Sequence, residues 1–341
     1  VSLDSVALVD DKDVLAVSPE MEAFLAAYVQ GGSNEFLRFR QLAFAIINEN
    51  TFGLEYDEMT RTASETFRLR RGNCLSFSNM FVAMARAAGL DAEFQEVDIP
   101  PAWTFRDDAF VLNRHVNVVV DLGTYGVQAV DFNIDDFKTS YDRWTIPDSR
   151  AKAHFYNNMG VESLNAGDTA RALAYFRRAL VDHDRRFAAA WTNLGILYLR
   201  EGHPDDAEAA FLQALSVKPK DLVAMSNLAN FYENHGQPEK AKIYHNRVVQ
   251  HRQKNPYYRY YLARELFLSG NYDEAIKHLR YAIRKRPQED QFFFLLGLSY
   301  LQKGDKKAAR TWLDRAEEAA ATDALKQNYS NKIDMLLSAP N

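Results

Sequence analysis

One cysteine, Cys74, occurs in the 341-residue chain, within Arg71-Gly72-Asn73-Cys74-Leu75-Ser76-Phe77-Ser78. It follows a Gly-Asn turn, where a helix should begin. Downstream lie His115, in a valine-rich strand, and Asp131, on the next strand. An ordinary thiol, with a pKa of about 8.5, is a weak nucleophile at neutral pH. Three features of this arrangement would lower that value. A helix N-terminus supplies positive dipole charge, an imidazolium at His115 would pair with the thiolate, and Asp131 on the far ring nitrogen would orient the imidazole and favour its charged form. The chemistry is acyl transfer, with Cys74 as nucleophile, His115 as base and Asp131 as orienting acid. The backbone N–H of Cys74 would help hold an oxyanion; the second donor is one of Gln95, Asn73 and Trp103. A lone cysteine is more often an inert buried side chain, so the weight rests on the three residues together. One Cys and one His without close partners give zinc too few ligands, and no cofactor is expected.

These residues need an α+β scaffold. Residues 1–17 read as an irregular leader. Ser18-Pro19 starts a helix that ends at Gly31-Gly32. Further helices are expected over 34–48, 57–70 and from Cys74 to Gly89, the last apolar over much of its surface and therefore buried. Residues 90–97 read as a strand, and Pro100-Pro101 opens a loop containing Trp103. A hairpin follows, from Val111 to Val120, through the turn Gly123-Thr124-Tyr125-Gly126, and back from Val127 to Phe132. His115, Asn117 and Val119 share one face, as do Val127, Ala129 and Asp131. Symmetry about Gly123 places His115 opposite Asp131; a centre one residue later pairs it with Asn133.

After Asp148 the pattern changes. Gly167, Gly202, Gly236, Gly270 and Gly304 recur every 34 or 35 residues, each followed five residues later by alanine: Ala172, Ala207, Ala241, Ala275 and Ala309. This period and small-residue code are those of the tetratricopeptide repeat. Residues 153–321 are read as five helix pairs in an all-α right-handed solenoid, and 322–337 as a solvent-facing capping helix. The expected division is therefore 1–150 for the cysteine-site domain and 151–341 for the repeats. Charge supports it: residues 1–150 hold 13 basic and 24 acidic side chains, a net −11, and the remainder 28 and 22, a net +6. An excess of +6 over helices is more often a solvated face than a nucleic-acid footprint, and no nucleic acid is expected. The apolar runs fall short of the roughly 18 residues of a membrane span.

Residues 54–133 resemble the transglutaminase-like core of the papain-fold superfamily. The resemblance rests on Arg61-Thr62-Ala63-Ser64-Glu65-Thr66-Phe67, on Arg71 to Cys74, on the run Ala83 to Ala92, and on Asn113 to Val118 and Val130 to Asn133. It implies the same roles for Cys74, His115 and Asp131. Leu75 and Gly126-Val127 depart from aromatic positions of that family, so substrate class does not carry over. Related bacterial proteins that join this core to such repeats are commonly exported or lipid-anchored. With Val1 rather than Met at the start, a removed signal or lipoprotein leader and a periplasmic or cell-envelope location are expected, with the cytoplasm, or a trimmed chain, as the alternative.

The repeats are expected to hold a peptide or protein ligand in their groove. Asn158, Asn193 and Asn227 occupy one position of the first helix in repeats one to three, and Asn230 lies a turn beyond. This ladder resembles repeat proteins that grip a peptide backbone with amide side chains; solvated asparagines are the plainer reading. It stops at Tyr261 and Leu295. Two functions follow: a cysteine peptidase, amidase or transglutaminase whose repeats present the substrate, or a non-catalytic adaptor with a degenerate core.

Overall fold

The computed structural model describes residues 6–29, 34–48, 51–98, 114–132, 141–320 and 322–338. The expected helix end at Gly31-Gly32, the loop with Trp103, the first residues of the hairpin and Asn133 lie outside them.

Helix α1 (Pro19–Tyr28) opens on Ser18, whose Oγ accepts the Met21 N–H, and α2 (Glu35–Ile47) opens on Asn34. A short strand β1 (Glu55–Tyr56) precedes α3 (Ala63–Leu69). The helical spacing of the sequence starts this third helix at 57. It starts later because Thr62 and Glu65 form a capping box: Thr62 Oγ1 accepts the Glu65 N–H and the Glu65 carboxylate accepts the Thr62 N–H at 3.1 Å. Strand β2 (Arg71–Gly72) pairs parallel with β1 and leads into α4 (Cys74–Ala87), whose residues 75–85 are all buried.

Strands β3 (Asp91–Asp98), β4 (Arg114–Asp121), β5 (Val127–Val130) and β6 (Arg143–Ile146) form an antiparallel sheet in the order β5-β4-β3-β6. The β4–β5 ladder pairs Asp121 with Val127 and Val118 with Val130. The hairpin is therefore centred on Thr124, within a 3-10 turn at Gly123–Tyr125, not on Gly123. Continued by one step, this register sets Asp131 opposite Asn117 rather than opposite His115.

Ten helices follow, four pairs of which pack together: α5 (Asp148–Asn165) with α6 (Thr169–Arg178), α7 (Ala188–Arg200) with α8 (Pro204–Val217), α11 (Pro256–Leu268) with α12 (Tyr272–Lys285), and α13 (Asp290–Gln302) with α14 (Lys306–Glu318); between them in sequence come α9 (Leu222–Asn234), which packs on α8, and α10 (Pro238–Lys254), which packs on α11. The five periodic glycines all take φ between +68° and +82°, a left-handed turn conformation that suits glycine. A second small position lies seven residues before the turn. A Cβ added at Gly160 or Gly195 would lie 2.5 or 2.6 Å from the ring of Phe176 or Phe211, so paired helices touch only because the methyl is missing. The last helix, α15 (Asp323–Ser338), buries Tyr329 and Ile333 against Leu313 and Ala320, while Tyr329 Oη donates to Asp290 Oδ2 at 2.8 Å.

The described residues form two compact units. One runs through Gly236; the other begins at Gln237 and includes Tyr141. In the first unit a single hydrophobic cluster joins Phe81 and Met84 of α4, Phe94 and Val118 of the sheet, and Phe155 and Phe176 of the first repeat. Full burial of each such phenylalanine contributes roughly 1.5–3 kcal/mol. A polar link runs alongside. Buried Glu96 of β3 accepts from Arg150 Nε at 2.7 Å, with His154 Nε2 also 2.7 Å from the same oxygen, and Arg150 Nη1 donates to Asp184 Oδ2. Burial pushes the Glu96 carboxyl up, but His154 and Arg150 outweigh it and hold it down at about 2. Residues 6–17 are not a free leader: Val14 is fully buried and its carbonyl accepts the Ala63 N–H at 3.0 Å.

Candidate active site

Cys74 is the first residue of α4 and is half-buried. Two side chains set the turn that presents it. Gly72 lies against Ser76, where an added Cβ would come within 2.6 Å of the serine Cβ. Asn73 is the N-cap: its Oδ1 accepts the Ser76 N–H at 2.9 Å, and its Nδ2 donates to Thr60 Oγ1 at 2.8 Å. Helix α5 braces this loop, since the Thr60 N–H donates to Glu162 Oε1 at 2.8 Å. The first N–H groups of α4 have no partner within the helix, and its positive end lies at the thiol.

His115 and Asp131 meet. His115 Nε2 lies 2.7 and 2.8 Å from the two carboxylate oxygens of Asp131, and both side chains are about 6% exposed. Asp131 stands just past the end of β5 and reaches diagonally across to His115, so the pairing expected from the sequence forms despite the shifted register. Asn117 Nδ2 donates to Asp131 Oδ2 at 2.9 Å. With Nε2 given to Asp131, Nδ1 is the ring nitrogen left for the thiol. Burial pulls the imidazole pKa down, but the hydrogen bonds and charges of Asp131 and Cys74 raise it to about 9. Ser78 ties the two halves together: its Oγ lies 2.9 Å from the Cys74 carbonyl and 3.0 Å from the Val116 carbonyl, fixing the first turn of α4 beside His115.

Of the proposed second oxyanion donors, Trp103 is outside the described residues and the Asn73 amide N–H2 is taken up by Thr60. Gln95 is buried opposite Asn117 on β3. Sequence reasoning missed Tyr56, whose phenol is pushed up by burial and then by the charge of nearby Cys74. It also missed the roles of Asn117 and Ser78. Asn117 was legible as the next residue on the His115 face; Tyr56 had no local signal.

The asparagine positions fall in the first unit. Asn193 Nδ2 donates to Asn157 Oδ1 at 2.9 Å, Asn227 Nδ2 donates to the Val223 carbonyl at 2.9 Å, Asn158 is half-buried and Asn230 is exposed. Among the described residues no group of three or more His, Cys, Asp or Glu could hold a metal ion, and no helix is long and apolar enough to cross a membrane.

Fold and sequence together define a transglutaminase-like domain followed by tetratricopeptide repeats. Residues 22–132 match the family model of the transglutaminase-like superfamily, and 158–221, 199–265 and 260–324 match tetratricopeptide repeat models. Among curated proteins, anaphase-promoting complex subunit 3 of Schizosaccharomyces pombe is 26% identical over 178 residues, which is 52% of this chain and 27% of that protein. Photosystem I assembly protein Ycf3 of Prochlorococcus marinus is 28% identical over 93 residues, 27% of this chain and 54% of that protein. The chain thus spans about a quarter to about half the length of these relatives. Among solved structures, YrrB, a TPR protein with an unusual peptide-binding site, is 23% identical with a TM-score of 0.28, over 52% of this chain and 92% of that one.

Proposed function

We propose that the chain is a cysteine acyl-transfer enzyme whose repeats hold a peptide or protein ligand. The observation that carries this reading is the His115 imidazole, clamped through Nε2 by Asp131 and raised to about 9 beside Cys74. A histidine so held is an imidazolium at neutral pH, the partner a thiolate nucleophile needs. The Cys74 thiolate adds to an amide carbonyl carbon, and the α4 N-terminus stabilises the negative oxygen. His115 gives its proton to the departing amine as the C–N bond breaks, leaving a thioester. Water or a second amine then attacks the thioester, losing a proton to His115 and releasing Cys74. Water makes the enzyme a peptidase or amidase; an amine makes it a transglutaminase. The repeat matches support the interaction role by themselves, so a non-catalytic adaptor is the competing reading. A cell-envelope location is part of the proposal.

Iodoacetamide labelling separates the two readings. Cys74 should alkylate readily at pH 7, and His115→Ala should slow it by about tenfold or more. Turnover of a substrate should fall as pH rises through about 9, where His115 loses the proton the leaving amine requires. A thiol that resists labelling in the folded chain, with no effect of His115→Ala, would leave the adaptor reading.

A further inference from the structure

Repeats one and two are offset by 35 residues, from Gly167 to Gly202, so each position in one has a counterpart in the other. In repeat one the groove between α5 and α6 is filled by the chain's own N-terminal segment. The Val9 N–H donates to Tyr175 Oη at 3.4 Å, and the Val9 carbonyl accepts from Tyr156 Oη at 3.1 Å and Arg178 Nη1 at 3.2 Å. The Asp11 carboxylate lies 2.7 Å from Lys152 Nζ and 2.8 Å from His183 Nε2. Side chains of the repeat thus satisfy both backbone groups of an extended residue and pair the acid two residues on, while Leu8 and Val9 pack on the core.

The corresponding groove of repeat two holds no other segment of this chain among the described residues. The counterparts of Tyr156, Tyr175 and Arg178 are Trp191, Ala210 and Gln213, and these line an open groove of about 500 Å3 between α7 and α8. Alanine in place of a tyrosine accounts for the space. Trp191 forms a wall, fixed by its Nε1 donating to the Arg185 carbonyl at 2.9 Å. Gln213 is exposed and offers both a donor and an acceptor to a backbone. We infer that this groove binds an extended segment of a partner protein in the way repeat one holds residues 8–11. The segment carries an aliphatic residue over Ala210 and an acid two residues later. Its polarity follows from the rim: the counterparts of Lys152 and His183 are Phe187 and Lys218, and the base that lines the groove beside the start of α7 is exposed Arg185, with exposed Asp206 at the start of α8. The acid of the partner meets Arg185, and a base upstream of the aliphatic residue meets Asp206. Trp191 lies two residues before Asn193, about 200° away around α7, so this site is separate from the asparagine face.

The test is fluorescence anisotropy of the full chain with a labelled peptide Lys-Ala-Leu-Val-Ala-Asp. Saturable binding is expected, weakened about fivefold by Arg185→Glu and about fivefold by Gln213→Ala. Both positions are exposed, and Arg185→Glu keeps the backbone carbonyl that Trp191 uses. A peptide ending in Lys should bind Arg185→Glu better than the unaltered chain. Absent binding at millimolar peptide, or equal binding to all three chains, overturns the inference. Loss on Arg178→Ala with no effect of the repeat-two changes overturns it too, because the peptide would then be exchanging with residues 8–11 in repeat one.

Discussion

Asn117 Nδ2 donates a 2.9 Å hydrogen bond to Oδ2 of Asp131, the oxygen that also lies 2.8 Å from His115 Nε2. Asp131 is beyond the last ladder pair of β5, so Asn117 supplies a hold on the carboxylate that sheet pairing does not. Without that hold the carboxylate is free to move off Nε2, and the raised pKa of His115 depends on Asp131 staying there. Asn117→Ala should therefore lower the His115 pKa from about 9 towards the ordinary 6.5, as read by NMR titration, and slow Cys74 labelling at pH 7. An unmoved titration would mean that Asp131 is held by other groups.

Ser78 works at a different joint. Its single hydroxyl proton serves the Cys74 and Val116 carbonyls, where the β4–β5 ladder has already ended. Ser78→Ala leaves a buried carbonyl short of a donor, at a cost of about 1–3 kcal/mol in urea denaturation. Because α4 then shifts against β4, labelling of Cys74 should slow as well. Lost stability with unchanged labelling would limit Ser78 to packing.

Acid should loosen the first unit through Glu96. Its folded pKa of about 2 lies below the ordinary 4.5, so the stabilisation is present above pH 4.5 and is lost as pH falls through 2. The side chain is 3% exposed, and the shift corresponds to about 3 kcal/mol. Glu96→Gln should remove most of this acid dependence and lower stability at pH 7. Parallel stability curves for the two proteins between pH 5 and 2.5 would refute the link.

The asparagines give a fourth test. The Asn193 amide is engaged by Asn157 and the Asn227 amide by its own helix. A ligand that uses them must compete with those bonds. The double change Asn193→Ala with Asn227→Ala should weaken a peptide ligand of that face by about tenfold, from two neutral hydrogen bonds. Unchanged affinity by calorimetry would remove the ladder from the binding site.

How much could be read from residue order depends on how local each cause is. Asn73 before Cys74 and the 34-residue glycine period are local signals, and both elements stand where they were expected. The hairpin was legible, but its centre was not. Gly123 and Gly126 both take positive φ, and the 3-10 turn between them moves the centre to Thr124. Strand β6 has four residues and one buried apolar side chain, Ile146, too few for a period to show. The capping box at Thr62 and Glu65 was present in the sequence and outweighs the helical spacing of Met59 and Ala63. No pattern near Val9 announces Tyr156, Tyr175 or Arg178.

Those contacts set an order of events during synthesis. Val9 leaves the ribosome well before its three side-chain partners, which lie 147, 166 and 169 positions later. Arg150 and His154, which hold Glu96, follow it by 54 and 58 positions. The thiol domain therefore cannot complete its packing as it emerges. It must wait, partly assembled, until the first repeat has been made, and closing so long a span is a slow, entropically costly step.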